Sequence, residues 1–166
     1  MTRMDLNVGN QRVLGDHDDA IRCIKPSHSH LSILTGSWDK TCKIWDPRIQ
    51  DNLVDTIDFA SKIFSMDVVG ETLAVAMADR LVKVYDLRNL GSPLETRTSP
   101  LKFMTRQIRL MPNEQGFAIS SIEGRIGIEY FGKERQDQKY AFKCHRQSLE
   151  NEDVIFPVNA LAFHPL

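Results

Sequence analysis

The chain has 166 residues, of which 42% are hydrophobic and 26% charged, with a formal net charge of −1. That balance describes an ordinary globular chain with enough apolar content for a core, and it argues against disorder. No apolar run approaches the ~20 residues of a spanning helix, and the start Met1-Thr-Arg-Met-Asp-Leu-Asn lacks a signal-peptide layout, so an intracellular location is the expectation.

Charge is unevenly spread. Residues 1–96 carry 11 basic and 14 acidic side chains, residues 97–146 carry 10 and 5, and residues 147–166 carry none and 3. The middle block could serve an acidic partner, although scattered solvated lysines give the same count. Cys23, Cys42 and Cys144 are odd in number and widely spaced, which suggests neither a disulfide framework nor a thiolate zinc site. They read as small core or strand residues.

Residues 3–14 read as one outer strand followed by a turn. Gly15-Asp-His17 precedes a strand Ala20–Ile24; Pro26–His30 reads as a loop, Leu31–Thr35 as a second strand, and Trp38-Asp39-Lys40 as a turn into Cys42–Trp45. Within such a meander a His before the first strand, a hydroxyl on the second, an Asp in the turn and a Trp on the third can close a chain of hydrogen bonds. His17, Thr35 or Ser37, Asp39 and Trp45 are the candidates for this structural role. The next unit runs Ile63–Val69, Thr72–Met77 and Leu81–Tyr85, with Leu94–Ser99 as an outer strand; lacking the His and Trp, it must rest on apolar packing. A third runs Gln107–Met111, Phe117–Ser121, Arg125–Phe131, a polar connection Gly132–Gln138 read as solvated, and Lys139–Cys144. After the acidic segment Glu150–Asp153, Val158–Phe163 reads as the first strand of a further unit.

Trp45, Tyr85 and Tyr130 fall 40 and 45 residues apart, the period of a WD-type propeller blade. The fold expected is all-β: a WD-repeat β-propeller with blades at 15–58, 59–99 and 100–146, the end of a preceding blade at 1–14 and the start of another at 147–166. Closed propellers have ~4–8 blades, so a fragment or a chain needing a complementary part is expected. No metal site is expected, since His28 and His30 are two apart in a loop and the adjacent Cys144 and His145 point to opposite faces of a strand. No cofactor motif and no catalytic Ser-His-Asp or paired-carboxylate arrangement is legible, and a non-enzymatic role is expected.

Several segments carry a more specific resemblance: Trp38-Asp39-Lys40-Thr41 with Trp45-Asp46-Pro47-Arg48, Tyr85-Asp-Leu-Arg-Asn-Leu-Gly91, Thr105-Arg-Gln-Ile-Arg109, Ser120-Ser-Ile-Glu-Gly-Arg125, Lys139-Tyr-Ala-Phe-Lys-Cys-His-Arg146 and Phe156-Pro-Val-Asn159. Together they resemble the mitotic checkpoint WD-repeat proteins of the Bub series (its third member). The related Rae messenger-RNA export propellers are similar in several of the same places, notably Ser99-Pro-Leu-Lys102. The resemblance implies a seven-bladed, non-catalytic scaffold located in the nucleus and at kinetochores in mitosis. Its implied partners are a checkpoint kinase or pseudokinase bearing an acidic GLEBS segment, a kinetochore scaffold with phosphorylated Met-Glu-Leu-Thr repeats, and the checkpoint complex that inhibits a ubiquitin ligase. No membrane partner and no direct nucleic-acid binding are implied; the export relatives imply instead an adaptor for a nucleoporin GLEBS segment.

The family's binding residues fall here on Trp38, Arg106, Arg125, Lys143 and Arg146, with Lys143 where arginine is frequent; lysine keeps the charge and loses the bidentate fork. Meander topology supports the placement. The turn between strands two and three and the link to the next unit lie at one end of a blade, so one aromatic and four cations are expected on one rim. Trp38 could equally pack on a neighbouring blade, and Arg125 could be solvated or paired with a glutamate. Arg109, a strand residue able to face either way, is left out.

Overall fold

The computed structural model describes residues 1–4, 6–7, 9–150 and 152–164. Asp5 and Val8 of the N-terminal segment, Asn151 of the acidic segment, and Pro165 and Leu166 lie outside the described residues. Three four-stranded antiparallel meanders are formed among the described residues. The first contains β3 (Ile21–Ser27), β4 (Ser32–Ser37), β5 (Thr41–Trp45) and β6 (Leu53–Asp58), in that order. The second contains β7 (Ile63–Val69), β8 (Thr72–Met77), β9 (Leu81–Asp86) and β10 (Glu95–Thr98). The third contains β11 (Thr105–Leu110), β12 (Gly116–Ser121), β13 (Arg125–Tyr130) and β14 (Tyr140–Lys143). Two hairpins flank them, β1 (Thr2–Met4) with β2 (Gln11–Val13) and β15 (Arg146–Leu149) with β16 (Glu152–Ile155).

The sheets pack face to face in sequence. Leu34, Cys42, Ile44 and Ile57 of the first meet Ile63, Met66, Leu73, Val75, Met77 and Tyr85 around the second, all buried. Ala74, Ala76 and Val82 on the second sheet's other face meet Leu101, Ile108, Leu110, Phe117 and Ile119 at the third. Polar groups are matched across the same interfaces: Ser65 Oγ and Asp67 Oδ2 accept from the backbone N–H of Ile108 and Leu110, at 3.1 and 2.9 Å. Alternation of buried residues along β7, β8 and β12 is thus replaced by near-continuous burial, as a strand covered on both faces requires.

Phase along the third strand is fixed by its turn. Lys40, Arg80 and Gly124 each adopt a left-handed backbone, with φ of 71°, 67° and 61°. Five residues beyond each pivot stand Trp45, Tyr85 and Glu129, opposite Ile33, Leu73 and Phe117. The structural equivalent of Trp45 and Tyr85 is therefore Glu129, and the 45-residue spacing to Tyr130 is out of phase by one: Tyr130 points to the far face, beside Met111, Ala118 and Ile128. Successive strand side chains alternate faces, so a shift of one position reverses the side.

Three chemistries then hold equivalent places. His17 is hydrogen-bonded through Nδ1 to Asp39 Oδ2 at 2.7 Å and through Nε2 to Thr35 Oγ1 at 2.7 Å, and Trp45 Nε1 donates to Thr35 Oγ1 at 2.7 Å. Ser37 is not on that chain but beside it, donating to Asp19 O and accepting from Asp39 N. In the second sheet the rings of Phe59 and Tyr85 meet edge-on at 6.0 Å, much as those of His17 and Trp45 do at 6.2 Å. In the third, the buried Glu129 carboxylate lies 3.3 Å from Arg97, whose guanidinium also reaches Glu95 at 2.6 Å and Tyr130 O at 2.7 Å.

The remaining departures from the sequence reading are local. Residues 3–14 contribute to a hairpin rather than one strand, and Pro26 lies inside β3 opposite Ile33, permitted because β3 is a sheet edge. The outer strand β6 escapes recognition since four of its first five residues are exposed. Gly132–Gln138 contains a 3-10 helix, Lys133–Gln138. Val158–Phe163 forms no strand: the paired strands here are β15 and β16, and the following segment instead hydrogen-bonds to the third sheet through Val158 N to Ser121 O and Leu161 N to Gln107 Oε1. Cys144, at the end of an edge strand, is exposed, whereas Cys42 is buried and Cys23 half-buried. Burial pushes the Cys23 thiol up to about 11.

Burial would raise the Asp39 carboxyl, but hydrogen bonds from the Thr41 hydroxyl and backbone and from His17 outweigh it and hold the group at about 2. A depressed carboxyl stabilises the fold above its ordinary value near 3.8 and loses that contribution as pH falls toward about 2. Asp39→Asn should lower the melting temperature at neutral pH and flatten its decline below about pH 4, as followed by circular dichroism. Arg97→Met, which strands a buried carboxylate, should cost about 3 kcal/mol in urea unfolding, and Arg97→Met/Glu129→Leu should recover most of it.

Candidate binding surface

The turns at Lys40, Arg80 and Gly124 and the links between successive sheets lie at one end of the molecule. Local chemistry shapes each turn: Thr41 N and Leu81 N donate to the side chains of Asp39 and Asp79 two residues back, the pattern of an Asx turn. The third turn uses glycine for a further reason. A Cβ on Gly124 would lie 2.7 Å from His145 O and 2.9 Å from Phe156 O, so the hairpin that follows β14 packs directly on this backbone.

Trp38, 38% exposed, stands at the first turn with its backbone N–H donated to Ala20 O. Lys62 Nζ sits 5.1 Å from the centre of its ring, a cation–π distance. Around them Arg22, Phe64, Met104, Thr105 and Arg106 line a groove of about 400 Å³. Arg106 donates Nε and Nη2 to Asn159 Oδ1, at 3.0 and 2.8 Å, which steadies its guanidinium at the groove wall. The groove therefore combines three cations with an indole, a phenyl ring and a thioether, a lining suited to an acidic segment carrying apolar side chains.

Arg125, Lys143 and Arg146 form a second group. Arg125 and Lys143 are cross-strand partners on β13 and β14. Arg146 Nη2 donates to Glu123 Oε1 at 2.9 Å and to Glu123 O at 3.1 Å, and Arg125 Nε lies 3.5 Å from the same carboxylate oxygen. One acid thus holds two arginines, and the Nε atoms of both are buried without a hydrogen-bond partner. Segment 156–159 runs between the groups, with Phe156 N bonded to His145 O and Asn159 bound by Arg106. The five residues singled out in the sequence are brought to one end as two groups, not as a single convergence.

Lys62, Arg22, Phe64 and Met104 were not singled out. Lys62 precedes β7 as Met104 precedes β11, their carbonyls accepting from Ala78 N and Ile122 N, so the meander topology does carry a signal for both positions. The basic block 97–146 is not one patch, because Arg97, Lys133 and Lys139 line a separate cavity with Glu95 and Glu129. Arg109 is held by Leu161 O and lies 3.8 Å from Asp67. Among the described residues no group of three or more His, Cys, Asp or Glu is placed to hold a metal ion.

Residues 9–46 match the family model described as WD domain, G-beta repeat. The chain is 46% identical over 170 aligned residues to mitotic checkpoint protein BUB3.1 of Arabidopsis thaliana, covering 99% of this chain and 50% of that protein. It is 40% identical to mitotic checkpoint protein bub-3 of Caenorhabditis elegans, covering 97% and 48%. A poly(A)+ RNA export protein of Schizosaccharomyces pombe is 35% identical, covering 97% and 46%. The chain spans about half the length of the curated relatives it matches. A chain in the crystal structure of the mitotic checkpoint complex superimposes with a TM-score of 0.69 at 18% identity, covering 78% of this chain and 40% of that one; this likeness speaks for the fold alone. The fold is an all-β WD-repeat fold, and over nearly its whole length the chain resembles mitotic checkpoint proteins of the Bub series.

Glu123 competes with any anion for Arg125 and Arg146. Glu123→Gln should remove the competing negative charge, so that sulfate raises the melting temperature of this variant by more than it raises that of the parent in a thermal-shift titration.

Proposed function

We propose that this chain is part of a non-catalytic checkpoint propeller that joins an acidic GLEBS-type segment of a checkpoint kinase or pseudokinase to phosphorylated Met-Glu-Leu-Thr repeats at kinetochores. In this reading residues 1–166 belong to one seven-bladed ring, with blades at 15–58, 59–99 and 100–146 and further blade strands at both ends. The observation that carries it is the Trp38 groove, where Lys62 covers the indole at 5.1 Å and Arg106 forms the far wall. Such a lining offers an apolar anchor and charge-assisted hydrogen bonds to one acidic peptide. Arg125 and Arg146, already gathered on Glu123, with Lys143 the strand partner of Arg125, would receive a phosphate, the guanidiniums exchanging one carboxylate for a dianion.

The nucleus and mitotic kinetochores are the places of action in this reading, and the complex that restrains a ubiquitin ligase is a further assembly it would enter. A second reading, an adaptor for a nucleoporin GLEBS segment, is favoured by the 35% identity to the RNA export relative. The two share the Trp38 groove and differ in the phosphate site.

The test is calorimetry with two peptides on a closed propeller containing this chain. Trp38→Ala should weaken an acidic GLEBS-type peptide by about 2 kcal/mol, the scale of a buried aromatic anchor, and leave a phosphorylated Met-Glu-Leu-Thr peptide unaffected. Arg125→Glu should do the converse. Undiminished binding of both peptides by both variants would remove the assignment, and loss of the acidic peptide alone, with no phosphopeptide affinity in the parent, would favour the export reading.

A further inference from the structure

Along the outer edge between the second and third sheets a cavity of about 490 Å³ is lined by Glu95, Arg97, Glu129 and Lys133. The first and second sheets are separated at the equivalent place by a cleft of different charge. Its walls are β6 and the segment Leu87–Pro93. Toward one end a cavity of about 250 Å³ is lined by Ile44, Val54, Asp55, Leu87 and Leu90, and toward the other a cavity of about 430 Å³ by Asp55, Asp58, Lys83, Leu90 and Pro93. Asp55 and Leu90 line both, so the two form one continuous groove.

We propose that this groove docks an extended basic segment of a partner protein, with an arginine set against Asp55 and a neighbouring apolar side chain in the smaller cavity.

The molecule contains its own precedent for the arginine. Strand registers make Asp55 the counterpart of Glu95 and Ile57 the counterpart of Arg97, since Asp55 and Ile57 pair with Ile44 and Cys42 while Glu95 and Arg97 pair with Val84 and Val82. Between the second and third sheets the chain supplies the cation itself: Arg97 bonds Glu95 at 2.6 Å, Glu129 at 3.3 Å and Tyr130 O at 2.7 Å. Between the first and second sheets the carboxylate remains and the cation is gone, Ile57 standing in place of Arg97 and Tyr85 in place of Glu129. Among the described residues neither Asp55 nor Asp58 has an ion-pair partner; Asp55 accepts only from the adjacent Thr56 N, at 2.7 Å. Among the described residues Lys83 is the one lysine or arginine lining the groove and lies 5.7 Å over the Phe59 ring, while His30 at the smaller cavity is engaged by Glu71 at 2.5 Å.

Charge complementarity thus selects a basic occupant, and two further features select an extended one. β6 is a sheet edge whose free backbone groups can pair with another strand, and Val54 sits at a register shift that turns its exposed side chain outward beside the smaller cavity. The inference does not depend on the acidic-peptide groove, which lies at the turn end of the sheets and has the opposite charge.

The full-length protein should be titrated at low salt into the fluorescein-labelled peptide Ser-Leu-Gly-Arg-Gly-Lys-Ser and into its counterpart with glutamate in place of both cations. Saturable anisotropy with the basic peptide alone is expected, weakened about tenfold by Asp55→Asn/Asp58→Asn and left unchanged by Trp38→Ala. Amide resonances of Val54–Asp58 and Leu87–Ser92 should shift together on binding. Absence of saturable binding, equal binding of the acidic peptide, indifference to the aspartate substitutions in a variant of unchanged melting temperature, or shifts confined to the Trp38 groove would each overturn the proposal.

Discussion

Every sheet must bury one face against the sheet before it, and the residue five places past the left-handed turn pivot stands at the centre of that contact. Trp45, Tyr85 and Glu129 hold this position in turn. The first is fixed by hydrogen bonds that end on Asp39, the second by edge-on aromatic packing, the third by a guanidinium from the neighbouring sheet. The solutions differ in where their specificity comes from. Apolar packing tolerates slippage of shape, whereas a buried hydroxyl–indole–imidazole chain or a buried ion pair is satisfied in one register only. Register matters here because one step reverses every side chain on a strand.

The binding surface inherits its geometry from the same pivots. A turn closed by an Asx hydrogen bond sets Trp38 at the end of the first sheet, and the link that follows the sheet returns Lys62 across its ring. Arg106 begins the third sheet and is steadied by Asn159. None of these side chains needs a loop of its own to be positioned, since rigid meanders supply the spacing and only short turns carry the chemistry. Glu123 adds a different feature: it keeps Arg125 and Arg146 close together despite their like charge, and any ligand for that pair must displace it or share it.

Much of this was legible in the residues. Gly36–Arg48 and Ala76–Arg88 announce strand, turn and strand, and the His17, Thr35, Asp39 and Trp45 set can be named because hydroxyl, imidazole, carboxylate and indole in a short meander have few other places to find partners. The third repeat misleads because aromatic spacing is only a proxy for phase: Tyr130 and Glu129 are neighbours, and nothing local says which faces the second sheet. The deciding fact is the Gly124 pivot, a backbone property. β6 is illegible for another reason: its residues are mostly exposed and its apolar residues Leu53, Val54 and Ile57 do not alternate, so that the usual signal is absent. The five rim residues could be placed at one end by topology, but their division around segment 156–159 depends on a contact more than fifty residues distant in sequence.

Repetition within one chain also makes its differences informative. Strands at equivalent positions meet equivalent neighbours, so a residue that loses its counterpart's partner marks a place where the interface has changed. Asp46 with Arg48 and Asp86 with Arg88 are the conservative case: each arginine chelates the carboxylate two residues before it, which holds both acids at about 2. Glu95 and Asp55 are the divergent case, one closed by an arginine of its own strand and the other left open beside an isoleucine. An exposed carboxylate is well solvated and costs little to keep, so stability gives no reason to remove it. Ile57, standing in the place of an arginine, joins the apolar contact with the second sheet and leaves the neighbouring carboxylate without a cation. Packing and charge pairing therefore trade against each other at a single position, and the two interfaces of the same chain have taken opposite sides.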